Sequence, residues 1–197
     1  MFEPELPIHT DRLTLRPFEV ADLPAYRAYI TRPDVHRFLY TEPFDDVGAR
    51  TRLEKKATRT ALRQGGDSIC LAVQRRDTGE VIGDTVLVWT SEQHRQAEIG
   101  YVFHPDHGGH GFATEAAAVM LRLGYELGSH RVCARLDGRN TASARVAERL
   151  GMRKEAHLVQ NELVKGEWSD EVIYAMLASE FRDRATWHRA ADDGVTG

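Results

Sequence analysis

The chain has 197 residues, of which 42% are hydrophobic and 28% charged, a composition typical of one globular domain with a sizeable core. Its net charge of −4 gives no indication of a nucleic acid partner. No apolar run approaches the roughly 20 residues of a membrane span, and residues 1–6 lack the basic flank and apolar centre of a signal peptide. We therefore expect a cytoplasmic protein without a membrane partner.

The first half of the chain carries signals for a strand, two helices and three further strands. Apolar and polar residues alternate in the strands, and caps or glycines mark the helix ends. In chain order, the predicted elements are a strand over Leu13–Phe18, a helix over Leu23–Ile30 capped by Asp22, a helix over Asp46–Gln64 ended by Gly65 and Gly66, strands over Ile69–Gln74 and Val81–Trp89 around the turn Asp77–Glu80, and a strand over Ala97–Phe103.

The second half begins with an alanine-rich helix over Ala113–Gly128. Four apolar residues recur there at steps of four, three and four, namely Ala116, Met120, Leu123 and Leu127. A strand over Arg131–Leu136, a helix over Asn140–Gly151 and strands over Glu155–Glu162 and Glu171–Leu177 follow. This order of elements predicts a mixed α/β sheet.

The stretch HPDHGGHGFATEAA, from His104 to Ala117, joins a strand to a helix and allows three interpretations. His104, His107 and His110 stand three residues apart, a spacing that would bring metal ligands together on a helix. Pro105 and the glycines favour a loop instead, and no further ligand completes a known zinc pattern. A metal site and a solvated polar loop both remain open as minor alternatives.

Anion binding is the interpretation that the context favours. Glycines let the backbone approach a ligand and adopt positive φ, and the following helix directs its free N–H groups and positive end towards the same point. A nucleotide-hydrolysing P-loop would require a lysine that is absent here. A dinucleotide fingerprint would require a third glycine at Thr114, and the strand comes too late in the chain for that fold.

Four motifs in order resemble the GNAT N-acetyltransferase superfamily. GGHGFATEAA, preceded by AEIGYVFHP, is similar to its acyl-CoA pyrophosphate loop, and NTASARVAERLGM is similar to its next helix. The opening TDRLTLRPF and the closing KGEWSDEVIYAML resemble the branch that acetylates the N-termini of ribosomal proteins at alanine or serine. The likeness covers roughly residues 8–182.

The resemblance implies an α/β (α+β) fold in a single acetyltransferase domain over residues 1–184, with a polar tail over 185–197. The expected sheet is twisted and mostly antiparallel, with six to seven strands flanked by about four helices. It also implies acetyl-CoA as co-substrate, without a metal. The residues implied to bind it are Val102, Phe103, Gly108, Gly109, His110, Gly111, Phe112, Ala113, Thr114, Asn140 and Ser143.

This chain departs from the superfamily pattern Arg/Gln-x-x-Gly-x-Gly/Ala at one position. Gly111 and Ala113 match the pattern, but Gly108 stands where the family has a basic, polar or bulky residue. The loop should therefore be more flexible than a loop with a larger side chain at this position. His107 or His110 could compensate by contacting phosphate, or either could simply face solvent.

Glu98 is the candidate general base, because it lies on the strand that leads into the loop. That strand must part from its neighbour to admit pantetheine. Ser143 is the candidate donor to the leaving thiolate, and Asn140 either reaches the co-substrate or only caps its helix. Glu115 is assigned to the helix dipole and Cys133 to the core.

Five further side chains have two interpretations each. Arg145, Arg149 and Arg153 either meet the 3′-phosphate or form a charged helix face. Trp168 and Asp170 are predicted to lie in a loop before the last strand, where they either line the acceptor groove or pin the hairpin.

The function that the resemblance implies is transfer of an acetyl group to a primary amine, with a protein N-terminal α-amino group as the first candidate. Small amines such as an aminoglycoside or a polyamine, and a longer donor such as succinyl-CoA, are alternatives. A non-catalytic acyl-CoA-binding module is the alternative from another class. The expected assembly is a monomer or a homodimer.

Overall fold

The polypeptide folds around one eight-stranded sheet, in a computed structural model that describes residues 1–181. The strands are β1 (Ile8–His9), β2 (Leu13–Arg16), β3 (Ser68–Arg75), β4 (Val81–Ser91), β5 (Gln96–Phe103), β6 (Arg131–Asp137), β7 (Arg153–Val164) and β8 (Glu167–Leu177). The α-helices are α1 (Leu23–Ile30), α2 (Pro33–His36), α3 (Asp46–Ala57), α4 (Phe112–Glu126) and α5 (Thr141–Arg149). A helical turn over 178–181 follows β8.

The strand order is β1-β2-β3-β4-β5-β6-β8-β7, and one pair of neighbours, β5 and β6, is parallel. These two strands pair at three positions, of which Glu98 opposite Cys133 is the last. Beyond that pair β5 continues to Phe103 and β6 to Asp137 without pairing to each other. The sheet therefore opens between two central strands, as expected for the strand that leads into the glycine-rich stretch.

The two faces of the sheet are covered by different helices. On one face, α4 packs with the buried side chains of Ala116, Met120 and Leu123, while Leu127 is half-buried. On the other face, α1 and α3 form a second cluster that contains Tyr29 and Leu53. Because successive strand residues point to opposite faces, the alternation of β3 between the two clusters follows from its sequence.

The mixed, mostly antiparallel α/β fold predicted from the sequence is confirmed, with a larger number of strands than the six to seven expected. All seven predicted strands are present, and the two-residue strand β1 is the eighth. The short helix α2 and the turn over 178–181 add to the four predicted helices. Within residues 1–181, no helix has the length and apolar character of a membrane span. The predicted boundary at residue 184 and the tail over 185–197 lie outside the described residues.

Two boundaries differ from the prediction by more than two residues. Helix α3 ends at Ala57 rather than Gln64, because the backbone beyond it bonds to other segments: the N–H of Leu62 donates to the carbonyl of Phe2 at 2.8 Å, and the carbonyl of Arg59 accepts from Cys70 at 2.7 Å. The final hairpin is longer than predicted. Lys165 and Gly166 both have positive φ and form a tight two-residue turn, so the segment before Glu171 is strand rather than loop.

Candidate active site

The segment between β5 and α4, residues 104–111, is called the glycine loop here. It contains the 3₁₀ helix Pro105–His107, and Gly109 and Gly111 both have a φ of 81°, in the left-handed region that favours glycine. Gly111 is the N-cap of α4. The N–H groups of residues 109–114 have no hydrogen-bond partner within the described part of the chain. This geometry presents several free donors at the positive end of a 15-residue helix, as an anion requires.

A cavity of about 410 Å³ extends from the glycine loop along the opening in the sheet. Ten of the eleven residues predicted to bind the co-substrate line it: Val102, Phe103, Gly108, Gly109, Gly111, Phe112, Ala113, Thr114, Asn140 and Ser143. The hydroxyl of Thr114 is buried and has no partner among the described residues. This cavity, called the larger cavity below, is thus lined by residues with free backbone N–H groups, a donor set that suits a diphosphate, and the Thr114 hydroxyl is enclosed beside it.

His110 is the predicted residue that does not line the larger cavity. Its carbonyl accepts a hydrogen bond from Arg12 at 2.9 Å, and its ring lies 5.9 Å from the ring of Phe112. His107 does line the larger cavity, where its Nε2 atom also lies 3.4 Å from a carboxylate oxygen of Glu80. Of the two histidines considered for phosphate, His107 is therefore the one that lines this cavity.

The three histidines of the loop are not arranged as a metal site. The rings of His104 and His107 are 5.7 Å apart, and Nδ1 of His104 accepts from the N–H of Asp106 at 3.2 Å. Within residues 1–181, no group of three or more histidine, cysteine, aspartate or glutamate side chains is placed so that it could hold a metal ion.

The backbone N–H groups of β5 point alternately towards β4 and towards the opening in the sheet. The N–H of His104 donates to the carbonyl of Ile82 at 2.8 Å, and the register pairs Val102 with Asp84. In an antiparallel ladder, hydrogen-bonded pairs recur at every second residue. The N–H of Val102 therefore faces β4, and the N–H groups of Tyr101 and Phe103 face the opening. Of the two β5 residues implied to bind the co-substrate, Val102 and Phe103, Phe103 is therefore the one whose N–H faces the opening.

A smaller cavity of about 220 Å³ lies on the other side of the opening. Its walls come from three distant segments, represented by Tyr40, Gly100 and Arg135. Six residues line both cavities and mark the place where they meet: Phe38, Leu39, Tyr101, Val102, Asn140 and Ser143. The two cavities are therefore adjacent and share one wall.

Asn140 and Ser143 lie at this junction for a local reason. The side-chain oxygen of Asn140 accepts from the N–H of Ser143 at 3.0 Å, which makes Asn140 the N-cap of α5. The hydroxyl of Tyr101 donates to the carbonyl of Ser143 at 3.0 Å. Burial raises the pKa of Tyr101 to about 12, so this phenol stays protonated at neutral pH. Sequence reasoning did not single out Tyr101, because its role depends on α5 packing beside β5.

The charged groups of the smaller cavity compensate one another. Arg135 forms two hydrogen bonds, of 2.7 and 2.9 Å, with Glu171, which is 1% exposed. Asp137 accepts from Arg139 at 2.8 and 3.0 Å and from the hydroxyl of Ser169 at 2.7 Å. Burial opposes these bonds, but they prevail and lower the pKa of Asp137 to about 2. The smaller cavity is therefore close to neutral.

Glu98 lines neither cavity. It is half-buried on β5, on the same side of the strand as Gly100, which lines the smaller cavity. Its pKa is raised above the usual value, chiefly by burial, with Arg135 opposing the rise and Glu171 adding to it. Burial likewise raises the pKa of the neighbouring thiol of Cys133 to about 11, so that cysteine is a protonated structural group and not a nucleophile.

Trp168 and Asp170 also lie outside both cavities, and the prediction of a loop there is wrong. Both belong to β8. The side chain of Asp170 accepts from the N–H of Gln160 at 2.9 Å and contacts the ring of His157 at 2.7 Å. Trp168 is 60% exposed. Asp170 thus pins the final hairpin, the second of the two interpretations, because the tight turn at Lys165 extends the strand through it.

The arginines on and after α5 have different surroundings. Arg145 and Arg149 line the larger cavity, where a further phosphate could meet them. Arg153 lies on β7 and forms ion pairs with Glu155 and Glu180. Of the three arginines considered for the 3′-phosphate, Arg145 and Arg149 therefore remain candidates.

Comparison with known proteins agrees with this geometry. The family model described as "Acetyltransferase (GNAT) domain" matches residues 12–153, so the chain belongs to the GNAT acetyltransferase family. The uncharacterized N-acetyltransferase YnaD of Bacillus subtilis is 31% identical over 175 residues, which cover 88% of this chain and 98% of that protein. The structure of an acetyltransferase (GNAT family) from Bacillus anthracis is 30% identical with a TM-score of 0.78, covering 91% of this chain and all of the other.

More distant structures share the fold alone. A spermidine N-acetyltransferase from Vibrio cholerae, solved in complex with CoA and spermine, is 22% identical with a TM-score of 0.73, covering 88% of this chain and 99% of that one. A putative ribosomal-protein-serine acetyltransferase from the same species is 19% identical with the same TM-score, covering 89% and 99%. The family assignment is confirmed, and the likeness to the ribosomal-protein branch is loose. This chain is therefore an N-acetyltransferase.

Proposed function

We propose that this protein transfers the acetyl group of acetyl-CoA to the α-amino group of a protein or peptide N-terminus. The observation that carries the proposal is the pair of cavities that meet at Tyr101, Asn140 and Ser143. The larger cavity suits a long ligand with an anionic group, and the smaller one suits a compact acceptor. At the junction the amine nitrogen forms the new amide bond, and the thiolate of CoA leaves.

The residues of the larger cavity suit CoA in detail. The free N–H groups of 109–114 would hold the diphosphate, and the unpartnered hydroxyl of Thr114 lies among them. The N–H of Phe103 would pair with pantetheine, and the N–H of Tyr101 would donate to the carbonyl oxygen as negative charge develops there. Arg145 and Arg149 would attract a further phosphate. Acetyl-CoA supplies the activated acyl group as a thioester.

The charge of the smaller cavity favours an α-amino acceptor over a polyamine. A polyamine carries several positive charges and needs free carboxylates, but Asp137 is held by Arg139, and Arg135 holds Glu171. The cost of deprotonation points the same way. An α-amino group of pKa about 7.8 costs about 1 kcal/mol to deprotonate at pH 7, whereas a lysine-like amine costs about 4.6 kcal/mol.

Few groups near the junction could act as a base. The carboxylates that line the two cavities are Asp34 and Asp137, and both have a pKa lowered to about 2 by their arginine partners. Glu98 has a raised pKa and is the better proton acceptor at neutral pH, through an intervening water. Tyr101 and Ser143 carry hydroxyl groups and line both cavities, so they are the candidate donors to the leaving thiolate.

A small-amine acceptor is the second candidate, because spermidine N(1)-acetyltransferases are among the relatives; that of Escherichia coli strain K12 is 24% identical over 168 residues. A longer acyl donor such as succinyl-CoA is a further alternative. The cytoplasmic location and the monomeric or homodimeric state stay predictions from the sequence.

Thiol release from acetyl-CoA tests the proposal. The acceptors are peptides that begin with alanine or serine, the same peptides with a blocked N-terminus and an internal lysine, and spermidine. We expect turnover with free N-termini and none with the blocked peptides. Faster turnover with spermidine, or with the blocked lysine peptides, would contradict the α-amino assignment. Absence of CoA binding by calorimetry would contradict the donor site itself.

A further inference from the structure

The motif TDRL at residues 10–13 is the part of the family resemblance that the proposed function leaves unused. Arg12 lies between β1 and β2, behind the glycine loop. Its Nε atom donates to the carboxylate of Glu115 at 2.7 Å and its backbone N–H donates to the same carboxylate at 3.0 Å. The hydroxyl of Thr10 donates to that carboxylate at 2.6 Å. The motif therefore holds the first turn of α4 from outside.

Arg12 also reaches the glycine loop directly. Its Nη1 atom donates to the carbonyl of His110 at 2.9 Å, and its guanidinium lies over the ring of Phe112 at 4.7 Å. One side chain thus bonds at once to the last peptide of the loop and to the helix that follows it. Arg12 lines neither cavity, so these contacts do not touch a bound ligand.

The bond to His110 determines where the next N–H points. In a planar trans peptide, the carbonyl of one residue and the N–H of the next point in opposite directions. Because the carbonyl of His110 is held towards Arg12, the N–H of Gly111 points away from it. Gly111 lines the larger cavity and, with a φ of 81°, is free to let this peptide rotate if nothing restrains it.

We propose that Arg12 is a positioning residue that fixes the glycine loop in its diphosphate-binding conformation. This inference rests on the proposed donor site. The family pattern has a basic or polar side chain at the position of Gly108, and a glycine there leaves the loop without a restraint of its own. Arg12 supplies the restraint from behind. Its charge is paired with Glu115, so it acts by orienting donors and not by attracting phosphate.

Two acetyl donors separate positioning from a general structural role. Acetyl-CoA has the diphosphate, and S-acetylpantetheine lacks it but has the same thioester. We expect Arg12→Gln to weaken CoA binding in calorimetry about tenfold, equivalent to about 1.4 kcal/mol, and to lower kcat/KM for acetyl-CoA by a similar factor. The value of kcat/KM for S-acetylpantetheine should stay that of the parent protein.

Arg76 provides the matched control. Its Nη1 atom donates to the carbonyls of Thr10 and Asp11, so Arg76→Gln loosens the same segment without touching the loop, and its CoA affinity should stay that of the parent. Thermal unfolding is measured for each variant. If Arg12→Gln does not fold, Arg12→Lys replaces it. A lysine ammonium has one nitrogen and cannot reproduce the separate guanidinium hydrogen bonds to His110 and Glu115.

The outcomes are distinct. A loss confined to CoA and acetyl-CoA supports the inference. An equal loss with both donors, or unchanged CoA affinity in a folded Arg12 variant, overturns it while leaving the donor site intact. If the parent protein itself does not bind CoA, the proposed donor site fails, and the inference fails with it.

Discussion

Replacing Glu98 by glutamine separates a general base from a structural glutamate. The side chain is half-buried on β5, directly before the strands part, and its pKa is raised by burial. Such a carboxylate accepts a proton at pH 7 more readily than the arginine-bound Asp137. We expect E98Q to lower kcat on the order of 10²-fold without changing CoA affinity, because Glu98 does not line the larger cavity.

The magnitude follows from the position of Glu98. Gly100 is two residues further along the same side of β5 and lines the smaller cavity, so about 7 Å of strand separates Glu98 from it. A proton must cross that distance through water. General bases contribute about 10²- to 10⁴-fold, and a relay through water favours the lower end of that range.

The pH profile gives a second measurement. An α-amino acceptor of pKa about 7.8 must be neutral, so the logarithm of kcat/KM falls with a slope of one below that pH. Below the pKa of Glu98 the base must also lose a proton, and the slope becomes two. In E98Q the slope should stay at one. The increase of the slope from one to two at acidic pH is therefore the effect expected from Glu98.

Thermal unfolding gives the control for structure. Because the pKa of Glu98 is raised on folding, its ionisation destabilises the fold above that pKa and has no effect below the unfolded value. E98Q should therefore unfold at a higher temperature at pH 7, and the difference should vanish in acid. E162Q removes a half-buried charge near the same Arg135 and should alter neither kcat nor the slope of the acidic part of the pH profile. Full kcat in E98Q with a good acceptor would refute the base assignment.

Two further substitutions test the buried framework and the loop. Lys56→Met leaves the buried carboxylate of Asp84 with Tyr29 as its remaining partner, so unfolding free energy should fall by about 3–5 kcal/mol; if adding Asp84→Asn recovers none of it, charge burial is not the cause. Gly111→Val places a branched residue at a φ of 81° and should weaken CoA binding in calorimetry more than tenfold. Gly128→Val, at a φ of 93° beyond the far end of α4, should lower stability without changing CoA affinity. Equal CoA affinity in both valine variants would contradict the assignment of the glycine loop as the diphosphate site.

Elements whose signals are local in the chain could be predicted from the sequence. The stripe of Ala116, Met120 and Leu123 indicated α4, and the pattern around the turn at Gly79 indicated the hairpin of β3 and β4. Leu62 continued the apolar spacing of α3 and extended the predicted helix too far. Its backbone instead pairs with Phe2, and a bond between segments sixty residues apart leaves no signal in a local window.

The two cavities differ in how much of each could be predicted. The glycine loop is made of consecutive residues, so its donors could be identified before the fold was known. Trp168 and Asp170 were misassigned because the turn at Lys165 and Gly166 was not recognised. Tyr101 and Phe38 were not recognised either, because a side chain becomes a wall of a cavity only when distant segments pack around it.

The charge state of the smaller cavity is the feature least predictable from the sequence, and it bears most directly on the choice of acceptor. Asp137 alone would be a reasonable base or a reasonable anchor for an ammonium group. In the fold, Arg139 and Ser169 bind it and lower its pKa to about 2, which removes it from both roles. Relatives of the same fold could keep a carboxylate at this place, lose the arginine beside it and so attract a different amine. Acceptor choice in such a scaffold therefore depends on which carboxylates are paired, and pairing is a property of the folded chain.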